Sequence, residues 1–169
     1  MSPQSATTKE EAVTIRPLGH ADVVPLEAHY RRLSPHDALN LFGAFAETIA
    51  IRRHIAGINF GQDIILAAVD SAGSVGATVR ICARRESRWA ELLVAREQDR
   101  VAAERWRSLV LAGVQAARDS SVRWLSVASL GFDPETREAL TLAGFDLHAE
   151  EDGTIGELCL ANCARRRNA

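Results

Sequence analysis

One segment of this sequence requires two strands to lie side by side and run in the same direction. An apolar run over Trp89–Val94 is followed by a helix with one apolar side over Arg100–Arg118, and then by a buried-strand pattern over Val122–Ser129. A strand, a long helix and a second strand in this order form a crossover between parallel strands. Such a crossover needs a sheet and a covering layer, so the sequence predicts a mixed α/β domain.

The remaining segments supply further helices and strands to the same domain. Ser34-Pro35 and Asp133-Pro134 predict helix starts, because Ser or Asp can cap a helix whose first residue is proline. The first helix is predicted to run through Phe45 toward His54, and the second to stop at Gly144. The predicted fold is a single mixed sheet of about six or seven strands flanked by about four helices. Its other strands are predicted at Val13–Leu18, Ile64–Val69, Val75–Cys82, Phe145–His148 and Glu157–Leu160.

The composition is that of an ordinary single-domain protein. The chain has 169 residues, of which 47% are hydrophobic and 25% are charged, and its formal net charge is −2. This charge creates no field that would recruit nucleic acid or an anionic membrane, so we expect neither as a partner. We expect a polar tail over residues 1–11, one domain over 12–161 and a basic tail over 162–169.

The numbers and positions of the cysteines and of the lysine limit the covalent chemistry that the chain can support. Cys82, Cys159 and Cys163 leave one thiol unpaired in any disulfide scheme, and no stretch approaches the ~20 apolar residues of a membrane helix. A reduced, cytoplasmic protein is the expectation. Lys9 is the single lysine and lies in the expected tail, which leaves almost no candidate for lysine-based covalent catalysis.

The histidines form no metal-ligand pattern in the sequence. All five are scattered, and none shares a helix face with carboxylates or cysteines at ligand spacing, so we expect no metal. His54 follows two arginines at a predicted helix end, where the helix dipole favours a cation. Tyr30, the only tyrosine, is predicted to be a packing residue on an early helix.

The order of the elements and several short motifs resemble one family. Val13–Leu18 looks like an opening strand that ends in Arg-Pro, and Ala90-Glu91 looks like part of a fourth strand. Leu142-Ala143-Gly144-Phe145 is similar to a Leu-Gly-Phe that closes a last helix. With Arg32–Pro35 and Ala67–Gly76, these motifs resemble the GNAT superfamily of acyl-CoA-dependent N-acetyltransferases over nearly the whole chain.

The resemblance implies acetyl-CoA as the acetyl donor and an amine of a small molecule or protein as the acceptor. Amine acetylation needs a base that takes a proton from the incoming ammonium. Glu91 matches the position of the family's glutamate base on the fourth strand and is the candidate catalytic residue. Many members place a tyrosine, as proton donor to sulfur, four residues before the final Gly-Phe. Leu140 occupies that position here, so no general acid is assigned.

The loop that binds the CoA pyrophosphate in the family departs from its pattern in this chain. The pattern is Gln/Arg-x-x-Gly-x-Gly/Ala, whose small residues let backbone N–H groups approach the phosphates at a helix N-terminus. An alignment without gaps assigns Val101–Trp106 to this loop, where Glu104 adds a negative charge and Trp106 fills space. A second register, Gln98–Ala103, keeps the first Gln and the last Ala, with Val101 in place of the central Gly.

We adopt the register without gaps, together with the strand backbone that precedes it. The loop is degenerate in either register, and we expect CoA to bind weakly or not at all, because a β-branched residue excludes positive φ. Two further hypotheses remain: an inactive binding or regulatory module with a second copy or another protein as partner, and a domain that uses another acyl carrier or small ligand. The candidate cofactor-binding residues are Val94, Ala95, Arg96, Val101, Ala102, Ala103, Glu104, Arg105 and Trp106.

Overall fold

A computed structural model describes residues 13–44, 46–83 and 88–161 of the chain. The strands within these ranges are β1 (Thr14–Pro17), β2 (Ile64–Val69), β3 (Val75–Ala83), β4 (Trp89–Arg96), β5 (Trp124–Ser129), β6 (Asp146–Glu150) and β7 (Gly153–Cys159). The α-helices are α1 (Val23–Arg31), α2 (Pro35–Phe42), α3 (Thr48–Ala56), α4 (Ala103–Arg118) and α5 (Pro134–Ala143). A short 3-10 helix at His20–Asp22 precedes α1.

The strands form one mixed sheet in the order β1-β2-β3-β4-β5-β7-β6. Within the described residues, every neighbouring pair is antiparallel except β4 and β5, which are parallel and joined by α4. This confirms the predicted parallel crossover and the mixed α/β fold. It also places the two strands of the crossover at the centre of the sheet.

Each face of the sheet packs against its own set of helices. Val79, Leu92 and Leu125 lie on one face and form a core with α4 and α5. Ile65 and Ala95 lie on the other face and pack with α1, α2 and α3. Paired antiparallel residues point to the same face, so strand register fixes which side chains share a site.

The predicted helix from Ser34 toward His54 is wrong as a single element. Gly43 adopts a left-handed conformation with φ of 65° and ends α2, and the chain resumes as α3 at Thr48. Glycine takes this conformation without the steric cost that a Cβ imposes. The predicted cap is confirmed, because the Ser34 hydroxyl accepts a hydrogen bond from the Asp37 N–H at 3.1 Å.

Two further sequence predictions concern single side chains of this layer. Tyr30 is 1% exposed, so its packing role is confirmed. The prediction of a cationic His54 is wrong, since burial, with a smaller contribution from Arg80, lowers its pKa to about 4. Cys82 is a free thiol, and Cys159 donates from its Sγ to the Ala161 carbonyl at 3.7 Å. Cys163 and both predicted tails, at 1–11 and 162–169, lie outside the described residues. None of the helices in the described ranges is long and apolar enough to cross a membrane.

Candidate functional site

A cleft opens at the centre of the sheet because β4 and β5 pair over only part of their length. Their register runs from Trp89 opposite Trp124 to Glu91 opposite Ser126, and beyond this point the two strands separate. The rest of β4 stays paired with β3 on its other side. The edge of β4 that faces β5 is therefore available to pair with an extended ligand.

Elements from both faces of the sheet contribute to the lining of this cleft. The gap is narrow, with a volume of about 30 Å³. It reaches from α2 on one face to α4 and α5 on the other, and so passes through the sheet. Among its lining residues are Leu93, Val94, Ala95 and Arg96 of β4, Asp37 and Asn40 of α2, Trp106 of α4, and Asp133 and Thr136 at the start of α5.

The predicted cofactor residues of β4 lie at the mouth of the cleft. The Arg96 side chain is only 5% exposed, and its guanidinium pairs with Glu135 of α5. Its Nε and Nη2 atoms donate to the Val101 carbonyl at 2.9 and 2.6 Å. Arg96 thus holds the loop after β4 in place and is occupied by protein partners.

The predicted phosphate-binding residues are divided between this loop and the first turn of α4. Val101 is buried and packs beside Gly76, where a Cβ would meet the Val101 Cγ2 at 2.8 Å. Ala102 is the N-cap of α4, and no side chain caps the helix there. The N–H groups of the first helical turn therefore have no side-chain acceptor from this cap.

The remaining loop candidates are helical, and they differ in exposure. Ala103 is half-buried at the start of α4, while Glu104 and Arg105 are exposed in its first turn. Trp106 is 1% exposed, and its Nε1 donates to the Thr136 hydroxyl at 3.1 Å. Its side chain belongs to the core between α4 and α5. The six residues that connect β4 with α4 are 97–102, and Gln98–Val101 of the second register lie among them.

Glu91 lies where β4 and β5 begin to separate. It is half-buried, faces the side of the sheet that carries α1–α3, and lies between Cys82 of β3 and Ser126 of β5 in register. It is not among the residues that line the narrow cleft. Burial raises the pKa of the neighbouring Cys82 thiol to about 11, which disfavours the thiolate form that a nucleophilic cysteine needs.

A buried ionic cluster fixes the loop that follows β4. The Glu97 carboxylate accepts from His29 Nδ1 at 2.7 Å and from Arg32 Nε at 2.8 Å. Burial alone would raise the pKa of Glu97, but these hydrogen bonds outweigh it and lower the pKa. Burial lowers the pKa of His29, which is fully buried on α1. No local pattern predicts this cluster, since His29 and Glu97 lie 68 residues apart in the chain.

Two carboxylates at helix starts, Asp37 of α2 and Asp133 before α5, also line the cleft. Asp37 accepts from the Ser34 hydroxyl at 2.6 Å, and Asp133 accepts from the Thr136 N–H at 3.0 Å. Both carboxylates lie in the first turn or at the cap of a helix, where the dipole stabilises negative charge. Among residues 13–44, 46–83 and 88–161, no group of three or more His, Cys, Asp or Glu side chains could hold a metal ion.

Comparison with known proteins identifies relatives by structure and not by sequence. No protein-family model matches the chain, and no curated protein matches it. The GNAT domain of PAT from S. lividans superposes with a TM-score of 0.68 at 19% sequence identity. The match covers 88% of this chain and 96% of that domain.

Two structures solved with ligands are similar over the same extent. A GNAT superfamily phosphinothricin acetyltransferase from Sinorhizobium meliloti, in complex with AcCoA, gives a TM-score of 0.66 at 14% identity, covering 87% of this chain and 88% of that one. Spermidine N-acetyltransferase from Vibrio cholerae, in complex with CoA and spermine, gives 0.65 at 12% identity, covering 88% and 95%. At these identities the likeness establishes a shared fold.

Proposed function

This chain has the fold of the GNAT superfamily, and on that basis we propose that it is an N-acetyltransferase that uses acetyl-CoA as donor and an amine as acceptor. The observation that carries the proposal is the separation of β4 from β5 beyond Glu91 and Ser126. Among the described residues it leaves this edge of β4 unpaired, beside the N-terminus of α4, whose cap residue Ala102 has no polar side chain. A ligand with an amide-containing arm and a pyrophosphate matches both features.

The residues around the cleft suit the two ends of this donor. The β4 edge from Leu92 to Arg96 would pair with the pantetheine arm in the manner of an added strand. The pyrophosphate would lie at the first turn of α4, near the small residues Ala102 and Ala103. Glu104 opposes phosphate binding there, which supports weak affinity for CoA. The neighbours solved with AcCoA and with CoA support this class of ligand.

We propose Glu91 as the base for the acceptor amine. When bound, acetyl-CoA supplies an acetyl thioester, whose transfer forms a carbon–nitrogen bond, breaks the carbon–sulfur bond and leaves a proton on the thiol. Before that bond forms, Glu91 takes one proton from the ammonium, through a water because Glu91 lies outside the cleft lining. The nitrogen loses its second proton as the carbon–sulfur bond breaks, and that proton is the one that ends on the thiol. Asp37 lines the cleft directly and is the second candidate for this role.

The proposal is tested first by titrating the purified protein with acetyl-CoA and CoA in a calorimeter. Saturable binding with one site per chain is expected, weaker than in a protein with an intact glycine loop. Thiol release is then followed with a panel of amines. Glu91→Gln should retain acetyl-CoA binding and lose about 100-fold or more in kcat, the usual contribution of a general base. A loss of this size in Asp37→Asn and not in Glu91→Gln would transfer the role to Asp37.

A second candidate function is an inactive binding module on the same fold, with a second copy or another protein as partner. The locked side chain of Arg96 and the narrow cleft favour it, since both leave little room for a donor. No heat from acetyl-CoA or CoA at millimolar concentration would support this alternative. Sedimentation of the purified chain would then show whether it pairs with itself.

A further inference from the structure

The peptide unit between Val101 and Ala102 is held in one orientation by a buried side chain. Arg96, the last residue of β4, donates from its Nε and Nη2 atoms to the Val101 carbonyl at 2.9 and 2.6 Å. Its Nη1 atom pairs with Glu135 of α5. Because all three guanidinium nitrogens face protein acceptors, Arg96 acts on the loop after β4 and not directly on a ligand.

Two further contacts fix Val101 within this loop. Its N–H donates to the Glu97 carbonyl at 3.1 Å, and its side chain is buried beside Gly76. The Glu97 N–H donates in turn to the Gly76 carbonyl at 2.9 Å. The N–H, the side chain and the carbonyl of Val101 are therefore all held by protein groups, so the loop has its shape before any ligand binds, which lowers the cost of ordering it.

The orientation of this peptide unit determines where the Ala102 N–H points. No peptide bond in the described residues is cis, and the carbonyl and N–H of a trans peptide point in opposite directions. Since the Val101 carbonyl points at the buried Arg96, the Ala102 N–H points away from Arg96. Ala102 is exposed, and among the described residues nothing accepts a hydrogen bond from its N–H.

The Ala102 N–H adds to the unbonded N–H groups in the first turn of α4. The first hydrogen bond of this helix runs from the Trp106 N–H to the Ala102 carbonyl at 3.0 Å, so the N–H groups of 103–105 have no partner within the helix. Adjacent donors at a helix N-terminus suit an anion that carries several oxygens. Ala102 has φ of −58°, which any residue adopts, so its N–H is presented without a left-handed glycine.

We propose that Arg96 is a positioning residue for the donor pyrophosphate, and that its bonds to the Val101 carbonyl replace the glycines of the family's loop. The proposal rests on the proposed use of acetyl-CoA as donor. Small residues in the family pattern let phosphates approach backbone N–H groups, whereas here a buried guanidinium turns one peptide unit so that its N–H points outward. Val101 can be β-branched because its side chain is buried beside Gly76, away from that N–H.

The first test compares calorimetric titrations of the full chain with CoA and with pantetheine, which has the same arm without the phosphates. Arg96→Lys keeps the positive charge but loses the planar fork that places two donors on one carbonyl. It should weaken CoA binding about tenfold and pantetheine binding by less than about twofold, because only the phosphate end loses a hydrogen bond. Glu135→Gln is the matched control, since it removes the other partner of Arg96 and leaves the bonds to Val101. It should not weaken CoA binding.

A second pair of variants tests the N–H itself. Ala102→Pro removes this donor, and the φ of −58° at this position is one that proline adopts. Ala102→Gly is the matched control, because glycine keeps the N–H and adds no side chain. The proline variant should weaken CoA binding about tenfold, and the glycine variant by less than about threefold. Thermal unfolding of both variants checks that they are folded.

The outcomes separate this inference from the proposed function. Saturable CoA binding that Arg96→Lys and Ala102→Pro both retain at the wild-type affinity would overturn the role of Arg96 and leave the proposed function standing. Equal losses for CoA and pantetheine in Arg96→Lys would also overturn it, since they would mean that Arg96 only maintains the fold. No binding of CoA to the wild type at millimolar concentration would overturn the proposed function and this inference together.

Discussion

On the face of the sheet that carries α1–α3, charged side chains are buried and paired in one half of the sheet and exposed in the other. Over β2, β3 and β4, charged groups are sealed and paired: Arg80 binds Asp63 at 2.6 Å, and Glu97 binds His29 and Arg32. Over β5, β7 and β6, the acidic side chains of Glu157, Asp146 and Glu150 are exposed. Buried pairs of this kind fix structure, whereas exposed carboxylates remain free to meet a ligand.

The proposed site lies at the boundary between these halves. Glu91 is the last residue of β4 that pairs with β5, and the two strands separate beyond it. The ionic cluster around Glu97 holds the loop after β4 on one side of this boundary. On the other side, over β5, β7 and β6, the acidic side chains are exposed.

The largest effect on the free energy of unfolding is expected when a charge is removed from the half of the sheet formed by β2, β3 and β4, the sealed half. Glu97→Gln should lower the free energy of unfolding by about 3–5 kcal/mol, because His29 and Arg32 would lose a buried anionic partner. Glu157→Gln, on the exposed half, should change it by less than about 0.5 kcal/mol. Urea unfolding of both variants measures the difference. Similar losses of unfolding free energy in the two variants would contradict the distinction between the two halves of the sheet.

A pH dependence specific to the sealed half is expected from His54. Its pKa is lowered to about 4 in the folded chain, against 6.5 for the free side chain, mainly by burial. Below 6.5 the unfolded chain binds a proton that the folded chain does not, so stability is lost as pH falls toward 4. This contribution reaches about 3 kcal/mol.

The measurement is urea unfolding of the wild type and of His54→Phe from neutral pH down to pH 4. Phenylalanine can keep the edge contacts that His54 makes with Tyr30 and Phe42. The variant should lose stability less steeply than the wild type over this range. Parallel pH profiles would mean that His54 is accessible to protons in the folded state.

The predictable part of the fold rests on local signals. The starts of α2 and α5 are predictable, because Ser34 and Asp133 are capping residues and each is directly followed by a proline. The crossover from β4 to β5 was predictable from periodicity alone. The break at Gly43 was not, since the apolar spacing continues across it and only the left-handed conformation ends the helix.

The candidate site depends on relations that no local pattern contains. The partners in the Glu97 cluster, and the residues of α2 and α5 that line the cleft between β4 and β5, are set by the register and packing of segments that lie far apart in sequence. Trp106 shows the same limit. The alignment to a phosphate loop predicts that Trp106 fills a binding space. In the structure α4 begins at Ala103, and the first turn of this helix directs the Trp106 side chain into the core. Glu91 was proposed from its match to the position of the family's glutamate base, and its place beside the separation of the two strands followed from no local pattern.

A smaller effect compares a buried tryptophan with an exposed one. Trp106→Phe should destabilise the chain by about 1–3 kcal/mol, because it removes the hydrogen bond to Thr136 and leaves a gap in the core. Trp89, stacked on Trp124 with ring centroids 5.1 Å apart, is 43% exposed. Trp89→Phe should cost less than about 1 kcal/mol. Thermal unfolding of both variants tests the order, and the reverse order would mean that the stacked pair at the start of β4 and β5 contributes more to stability than the core between α4 and α5.

The smallest effect concerns the boundary itself, where Glu104 lies exposed in the first turn of α4. If CoA phosphates bind at this helix end, Glu104→Gln should increase CoA affinity about two- to fivefold at low ionic strength, since it removes a repelling charge. Asp119→Asn, at the other end of the same helix, is the matched control and should leave affinity unchanged. Calorimetric titration at two salt concentrations measures both. The gain in CoA affinity should be smaller at the higher salt concentration, because salt screens the charge. Equal CoA affinities for Glu104→Gln and the wild type would mean that the phosphates do not bind near the first turn of α4.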